Sequence, residues 1–247
     1  MKYQSENFFN KNKRLLIGAS IVVVFAIVIG IAVIDALIKN ASSEIPSIED
    51  ISVGYHLTMG TYEQDGDTSN GAEPIEWQVL DVKDGKALLL SDKLMDYVPY
   101  NDKFADVTWE TCTLRQWMND EFLNTAFTSE EQSKIATVTN ENPDNLAYGT
   151  KGGNATQDKV FALSIDEAEK YFKTDKSMIA YTTDYAHAQG YDEKDRSDWW
   201  WLRSPGYGCS AAACVNIGGG IMNGGILNLG GYVDRNIAIR VAFWLNL

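Results

Sequence analysis

The chain has 247 residues, of which 45% are hydrophobic and 22% charged, enough for one domain of ordinary size plus an anchor. Its formal net charge of −13 repels nucleic-acid phosphates and anionic polymers and favours cationic or neutral partners, so a nucleic-acid-binding role is excluded. The two histidines, His56 and His187, stand in unrelated contexts, and Cys112, Cys209 and Cys214 form no Cys-x-x-Cys pair, which leaves little basis for a His-rich metal site or a His-dependent triad.

Lys11, Lys13 and Arg14 precede an uncharged run from Leu15 to Ile34, long enough at about 1.5 Å per residue to cross the hydrocarbon layer of a membrane. The run exceeds the apolar core of a cleaved signal peptide, which is about 7–15 residues. It predicts one transmembrane helix over 15–38, touching the lipid bilayer through Leu15 to Ile38. Lys39 is soon followed by Glu44, Glu49 and Asp50, so the positive-inside rule puts residues 1–14 in the cytoplasm and the rest of the chain outside the cell, as in a single-pass cell-membrane protein. The first 38 residues hold four basic and two acidic groups, so the remainder has 17 basic and 32 acidic residues and a net charge of −15. Residues 39–50, with Ser42-Ser43 and Pro46, read as a stalk, and the folded domain spans 51–247.

Val53 to Tyr62 and Ile75 to Leu80 alternate apolar and polar residues in part, and Ala87 to Leu90 is continuously apolar, which predicts three early strands. Asp84-Gly85 between the last two is a hairpin signal. Three capping-box patterns, Thr113-x-x-Gln116, Thr128-x-x-Glu131 and Ser164-x-x-Glu167, predict short helices. In the first of these, Leu114, Trp117, Met118 and Phe122 share a face. Residues 140–154 and 173–198 are polar and read as long loops. The whole is α+β.

Asp65, Asp67, Ser69, Glu73 and Glu76 approach the ligand spacing of a calcium loop, but Asn70 replaces its glycine and strands flank it, so no metal is expected. Phosphate loops, nucleotide fingerprints and serine elbows do not occur, and no cofactor is expected. Cys209 and Cys214 are close enough in sequence to pair in an oxidising exterior, and the sequence leaves that open.

Near the C-terminus, Trp199 to Gly206 and Ile237 to Leu247 are aromatic segments that each carry an arginine, and they bracket a Gly/Asn-rich insert. Trp200, Arg203, Arg240 and Trp244 read as scaffold, each arginine needing an acidic or carbonyl partner. Val215 to Val233 repeats a loose apolar-Asn-x-Gly-Gly unit, which favours short strands joined by tight turns.

Trp200-Trp201-Leu202-Arg203-Ser204-Pro205-Gly206 and Ile239-Arg240-Val241-Ala242-Phe243-Trp244-Leu245 resemble the hallmarks of the DUF6273 family. Pro74 to Leu80, Ala87 to Asp92, Thr108-Trp109-Glu110, Leu114 to Asn119 and Lys159 to Ala168 agree, so the likeness covers roughly residues 51–247. Val241 departs from the proline usual in the family. The resemblance implies a C-type-lectin-like domain, similar to formylglycine-generating-enzyme-like proteins, with short helices, a central antiparallel sheet and a ligand surface built from the last loops. The paired-cysteine copper site of those oxidases is not matched, so the activity does not carry over. Similar proteins include targets of diversity-generating retroelements. Tyr207 to Asn236 contains none of the Lys, Glu, Gln or Trp that randomised Asn codons cannot encode, although Met222 would have to be fixed by the template.

These readings converge on a non-enzymatic, membrane-anchored recognition module. Its unknown protein or glycan ligand is expected to meet Tyr207, Ser210, Asn216, Ile217, Ile221, Asn223, Leu227, Asn228, Leu229, Tyr232 and Asp234. The rival expectations are a cell-surface enzyme and a structural envelope protein.

Overall fold

The early hairpin follows from two residues. Asp84 and Gly85 have φ of +51° and +69°, the pair of positive values that a two-residue turn needs to match strand twist. They join β2 (Glu73–Lys83) to β3 (Lys86–Ser91), with Lys83 facing Lys86. β1 (His56–Tyr62) pairs antiparallel with β2 through Leu57 and Trp77. The computed structural model describes residues 51–190, 196–225 and 232–247, all within a unit that spans 45–247.

The remaining strands are β4 (Tyr97–Pro99), β5 (Val138–Asn140), β6 (Thr156–Asp158), β7 (Val160–Phe161), β8 (Trp200–Pro205), β9 (Ala212–Val215), β10 (Ile221–Met222), β11 (Asn236–Ala238) and β12 (Ala242–Asn246). One five-stranded sheet has the order β1-β2-β3-β12-β7, so the C-terminal strand is locked between β3 and β7. A second has the order β10-β9-β8-β11-β4, with β8 and β11 parallel, and β5 pairs with β6 alone. Every residue of β8 and β9 is buried, as expected for strands covered on both faces.

Helices are short: α1 (Thr113–Trp117), a π-helical turn (Met118–Phe122), α2 (Leu123–Ala126), α3 (Ser129–Lys134), α4 (Ile165–Tyr171), α5 (Asp175–Met178) and α6 (Asp184–Gln189) run four to seven residues each. Both capping boxes expected at Thr128 and Ser164 form. The third slips by one residue: Cys112 caps α1, while Thr113 accepts a bond from the backbone N–H of Asp102. Thr174 and Thr183 cap two helices inside the stretch 173–198 expected to be loop.

These findings correct the expected fold class. The domain is mainly β, with two five-stranded sheets in place of an α+β lectin-like arrangement around one central antiparallel sheet. The caps start helices, but apolar residues at helical spacing persist for only one or two turns. The strand-rich remainder buries the apolar surface instead. The expected transmembrane helix, Leu15 to Ile38, lies outside the described residues, and no described helix is long and apolar enough to cross a membrane.

Two crossings bind the sheets together. Residues 91–97 lead from β3 to β4, and residues 238–242 lead from β11 to β12. They run side by side: Met95 N–H donates to the Ile239 carbonyl, Ile239 N–H to that of Asp96, and Ser91 N–H to that of Val241, at 2.8–3.0 Å. Aromatic rings fill the first sheet's core, where Trp77 meets Phe243 edge-on at 4.7 Å and Phe127 meets the same ring at 5.4 Å. Each buried indole finds an acceptor: Trp77 the Met59 carbonyl, Trp200 that of Met178 and Trp201 that of Val98.

A bulge in β1 brings Gly60 against this core. Its φ is +70°, and an added Cβ would sit 2.5 Å from the Ala126 carbonyl and 2.8 Å from the Phe127 ring. Gly85 also has positive φ but faces open space. Gly60→Ala is therefore expected to cost about 2–4 kcal/mol, against about 1 kcal/mol for Gly85→Ala. Denaturant midpoints at unchanged m-value measure both, and equal losses would contradict the packing argument.

Candidate functional site

β8 ends at Pro205, where the chain enters the C-terminal insert. The exit is held by Arg203, whose guanidinium is buried and forms a two-pronged ion pair with Glu167 in α4. It also donates to the carbonyls of Ala162 and Glu141. Burial pushes the Glu167 carboxyl up, yet Arg203 and the Ser164 cap outweigh this and leave it below its ordinary value of 4.5. The expectation of an acidic or carbonyl partner for Arg203 is met by both kinds.

Arg240 stands differently. Its Nε donates to the Ser91 carbonyl at 2.8 Å, and its guanidinium lies 5.5 Å from the Phe172 ring and 5.7 Å from that of Trp200. One terminal nitrogen has no hydrogen-bond partner, and burial pulls the group down to about 10. Trp200 is fully buried, while Trp244 is half-buried beneath the Lys83 ammonium at 4.9 Å.

Beyond Pro205, one side chain that sequence reasoning missed organises the surface. Asn145 is buried, and its amide NH₂ donates to the carbonyls of Pro205 at 2.8 Å and Asn223 at 2.7 Å, with Gly206 at 3.4 Å. Its Oδ1 accepts from the Ala147 N–H. The loop 143–148 is thereby stitched to both arms of the insert.

Exposed rings gather where these segments meet. Tyr148, 47% exposed, lies so close to Gly224 that a Cβ there would sit 2.7 Å from its hydroxyl. The Gly224 carbonyl accepts from the Tyr207 N–H at 3.2 Å, and the hydrogen bond that the Tyr207 hydroxyl donates to the phenol of Tyr232 raises it above its ordinary pKa. Phe104, 60% exposed, meets Tyr232 edge-on at 5.0 Å. Leu146, next to Asn145, is 94% exposed. A cleft of about 260 Å³ opens beside this row, lined by Leu146, Ile165, Asp166, Glu169, Ser204 and Asn223 among others.

The structure thus joins Tyr207, Asn223 and Tyr232 on one face, with Ser210 adjoining through the bond of its carbonyl to the Val233 N–H and Asp234 exposed in the following turn. Asn216, Ile217 and Ile221 belong to the β9–β10 hairpin, whose Gly219 abuts the Asp175 carbonyl at the start of α5. Asn216 spends its Oδ1 on the N–H groups of Gly218 and Gly220 and so locks its own turn. Ile217 is 48% exposed, while Ile221 packs against the core. Leu227, Asn228 and Leu229 lie outside the described residues. Phe104, Leu146 and Tyr148 were missed, and their only sequence signal is large apolar residues set among turn formers.

Elsewhere, Glu63, Asp65 and Glu73 bring carboxylate oxygens within 4.8 Å of one another. The loop's own donors occupy them: Glu73 accepts from the N–H groups of Gln64 and Asp65, Asp65 from Asp67 and Asn70, and Glu63 from Gly66. All three cysteines are free thiols, and burial pushes Cys112 and Cys214 up to about 12. His56 pairs with Asp92 at the surface, at 2.7 Å, and His187 sits in the last turn of α6.

A family model described as a domain of unknown function, DUF6273, matches residues 84–247. Neither the curated proteins nor the solved structures include a match.

Glu167→Gln would strand the buried Arg203 charge, and the expected loss is about 3 kcal/mol at pH 7. Because the folded-state pKa of Glu167 is depressed, its contribution is complete above pH 4.5 and drains away as the pH falls through the folded value. The stability gap between wild type and variant should therefore shrink from pH 7 to pH 3. Denaturant titrations at the two pH values measure it, and a pH-independent gap would contradict the ion-pair account.

Proposed function

The chain belongs to the DUF6273 family over residues 84–247, and on that premise we propose that it is a ligand-recognition module without catalysis. Its ligand, a protein or a glycan, is met by the face around Tyr148, Tyr207, Tyr232 and Phe104. The observation that carries this reading is the gathering of the exposed Tyr148, Tyr207, Phe104 and Leu146 with the half-buried Tyr232 where the insert meets two upstream loops. Rings held by hydrogen bonds and edge contacts offer contact area at small entropic cost, which is why Tyr dominates many binding surfaces. The polar groups nearby serve structure: Asn145 bonds three carbonyls, Ser204 Oγ accepts from the Ile165 N–H, and Asp144 pairs with Lys151 at 2.6 Å. The residue choice of the insert, which omits Lys, Glu, Gln and Trp from Tyr207 to Asn236, supports a segment diversified by a retroelement. A gene neighbourhood without a reverse transcriptase would count against that part.

The full chain probed on glycan and protein arrays should retain at least one ligand. Tyr148→Ala and Tyr207→Ala should each weaken that binding about tenfold, the equivalent of about 1.4 kcal/mol. Val53→Ala, at an exposed apolar residue before β1, should leave it unchanged. Binding that is indifferent to both tyrosines would refute the assignment of this face.

A further inference from the structure

The cleft beside the ring row is unevenly equipped. Asp166 and Glu169 lie one turn apart on α4, both are exposed, and neither carboxylate takes part in a hydrogen bond or ion pair among the described residues. Asn223 also lines the cleft, and its Oδ1 is shielded from solvent with no donor bound to it. Of the donors close by, the Asn145 amide serves Pro205, Gly206 and Asn223 and Lys151 serves Asp144, while the Asn223 NH₂ has no acceptor among the described residues. Ser204 accepts from Ile165 through its Oγ and keeps one O–H. The cleft is therefore rich in acceptors and poor in donors. Its apolar walls come from Ile165, Ala147, Leu146 and Pro143, and the committed Asp144 and Asn145 complete the lining.

That combination fits an amphipathic cation. A long basic side chain lays its methylene stem on apolar surface and carries its charge to carboxylates at the end. The cleft's volume of about 260 Å³ lies below the range of about 300–1,000 Å³ of sites that enclose whole small molecules, so one side chain suits it better than an oligosaccharide. The net charge of −13 steers basic partners toward the surface. Leu146, at the rim and 94% exposed, and Tyr148 beside it supply contact for the residues that flank such a side chain.

We propose that this cleft receives a lysine or arginine side chain presented by a protein partner, with Leu146 and Tyr148 packing against its apolar neighbours. The proposal rests on the recognition reading above and narrows its ligand to a basic, apolar-flanked peptide segment.

Fluorescence anisotropy with the full chain tests it, using labelled hexapeptides of alternating leucine with lysine, arginine, glutamine or glutamate, and labelled chitohexaose as the sugar arm. The lysine and arginine peptides should bind at least tenfold more tightly than the glutamine peptide, and the glutamate peptide should not bind. The double variant Asp166→Asn with Glu169→Gln should weaken the basic peptides about tenfold, and Leu146→Ser should weaken them as well. A matched removal of charge elsewhere, Asp120→Asn with Glu130→Gln, should leave them unchanged. All these positions are exposed, and unchanged thermal unfolding confirms that each variant is folded. Equal binding of the neutral peptide, or equal loss in the matched-charge control, would overturn the cleft assignment. If chitohexaose alone bound and depended on Tyr148 and Tyr207, this proposal would fall while the recognition reading stood. If no probe bound, the basic-segment proposal would fall and the array experiment would still decide the broader reading.

Discussion

The buried pairing of Arg203 with Glu167 is the constraint on which the rest of the binding side depends. One guanidinium joins four segments: β8, the capping box of α4, the Ala162 carbonyl before it and the Glu141 carbonyl at the entry to the 143–148 loop. Glu167 is committed twice, since its Oε2 also accepts from the Ser164 N–H to close the cap. A lysine could not replace the arginine, because a single ammonium lacks the planar fork that engages both carboxylate oxygens while reaching two carbonyls. Such a pair adds little net stability over an apolar alternative, and Arg203 Nε is left without a partner. What the pair provides is registry: α4, which supplies Asp166 and Glu169, is held beside the point where β8 releases the insert.

The second arginine performs a different task at the opposite junction. Arg240 lies on the crossing from β11 to β12, and its bond to the Ser91 carbonyl ties that crossing to the one from β3 to β4. Val241 adds a bond from its N–H to the Ser91 hydroxyl at 3.0 Å. A proline at this position would have no N–H to give. Valine at 241 thus keeps a hydrogen bond across the junction that the rigid φ of a proline would forgo. It does so where the C-terminal strand must enter the middle of a sheet, between β3 and β7.

Local chemistry was legible in the sequence and long-range assembly was not. Asp84-Gly85 identified its turn because positive φ at two adjacent residues demands those residue types. Thr128 and Ser164 identified their helices because a capping box is a contact over three residues. The class of the fold was misread because helix starts are visible while helix lengths depend on tertiary burial, and six of the helical segments stop within six residues. Strands β8 and β9, buried on both faces, carry no alternation that would assign them to a second sheet. In the candidate site, Tyr207, Asn223 and Tyr232 were found from the insert's composition. Tyr148 and Phe104 reach the same face only through Asn145 and a ring contact, which join residues far apart in the chain.

The manner of attachment bears on what the insert can become. Asn145 holds the insert by the backbone carbonyls of Pro205, Gly206 and Asn223, and Tyr207 is positioned by its own N–H on the Gly224 carbonyl. None of these bonds consults the insert's side chains. A surface anchored in this way can exchange side chains at low cost, because the cost of losing a buried hydrogen bond falls only on the constant partner, Asn145. Gly224 is an exception, since any Cβ would collide with the Tyr148 hydroxyl. Asn216 is a second, because its amide closes the β9–β10 turn. Positions free to vary and positions bound to stay are therefore separated by whether their bonds run through backbone or through side chain, and Tyr207 stands between the two, because its backbone N–H anchors it to Gly224 while its phenol bonds Tyr232, a contact that a substitution would lose without touching the anchor.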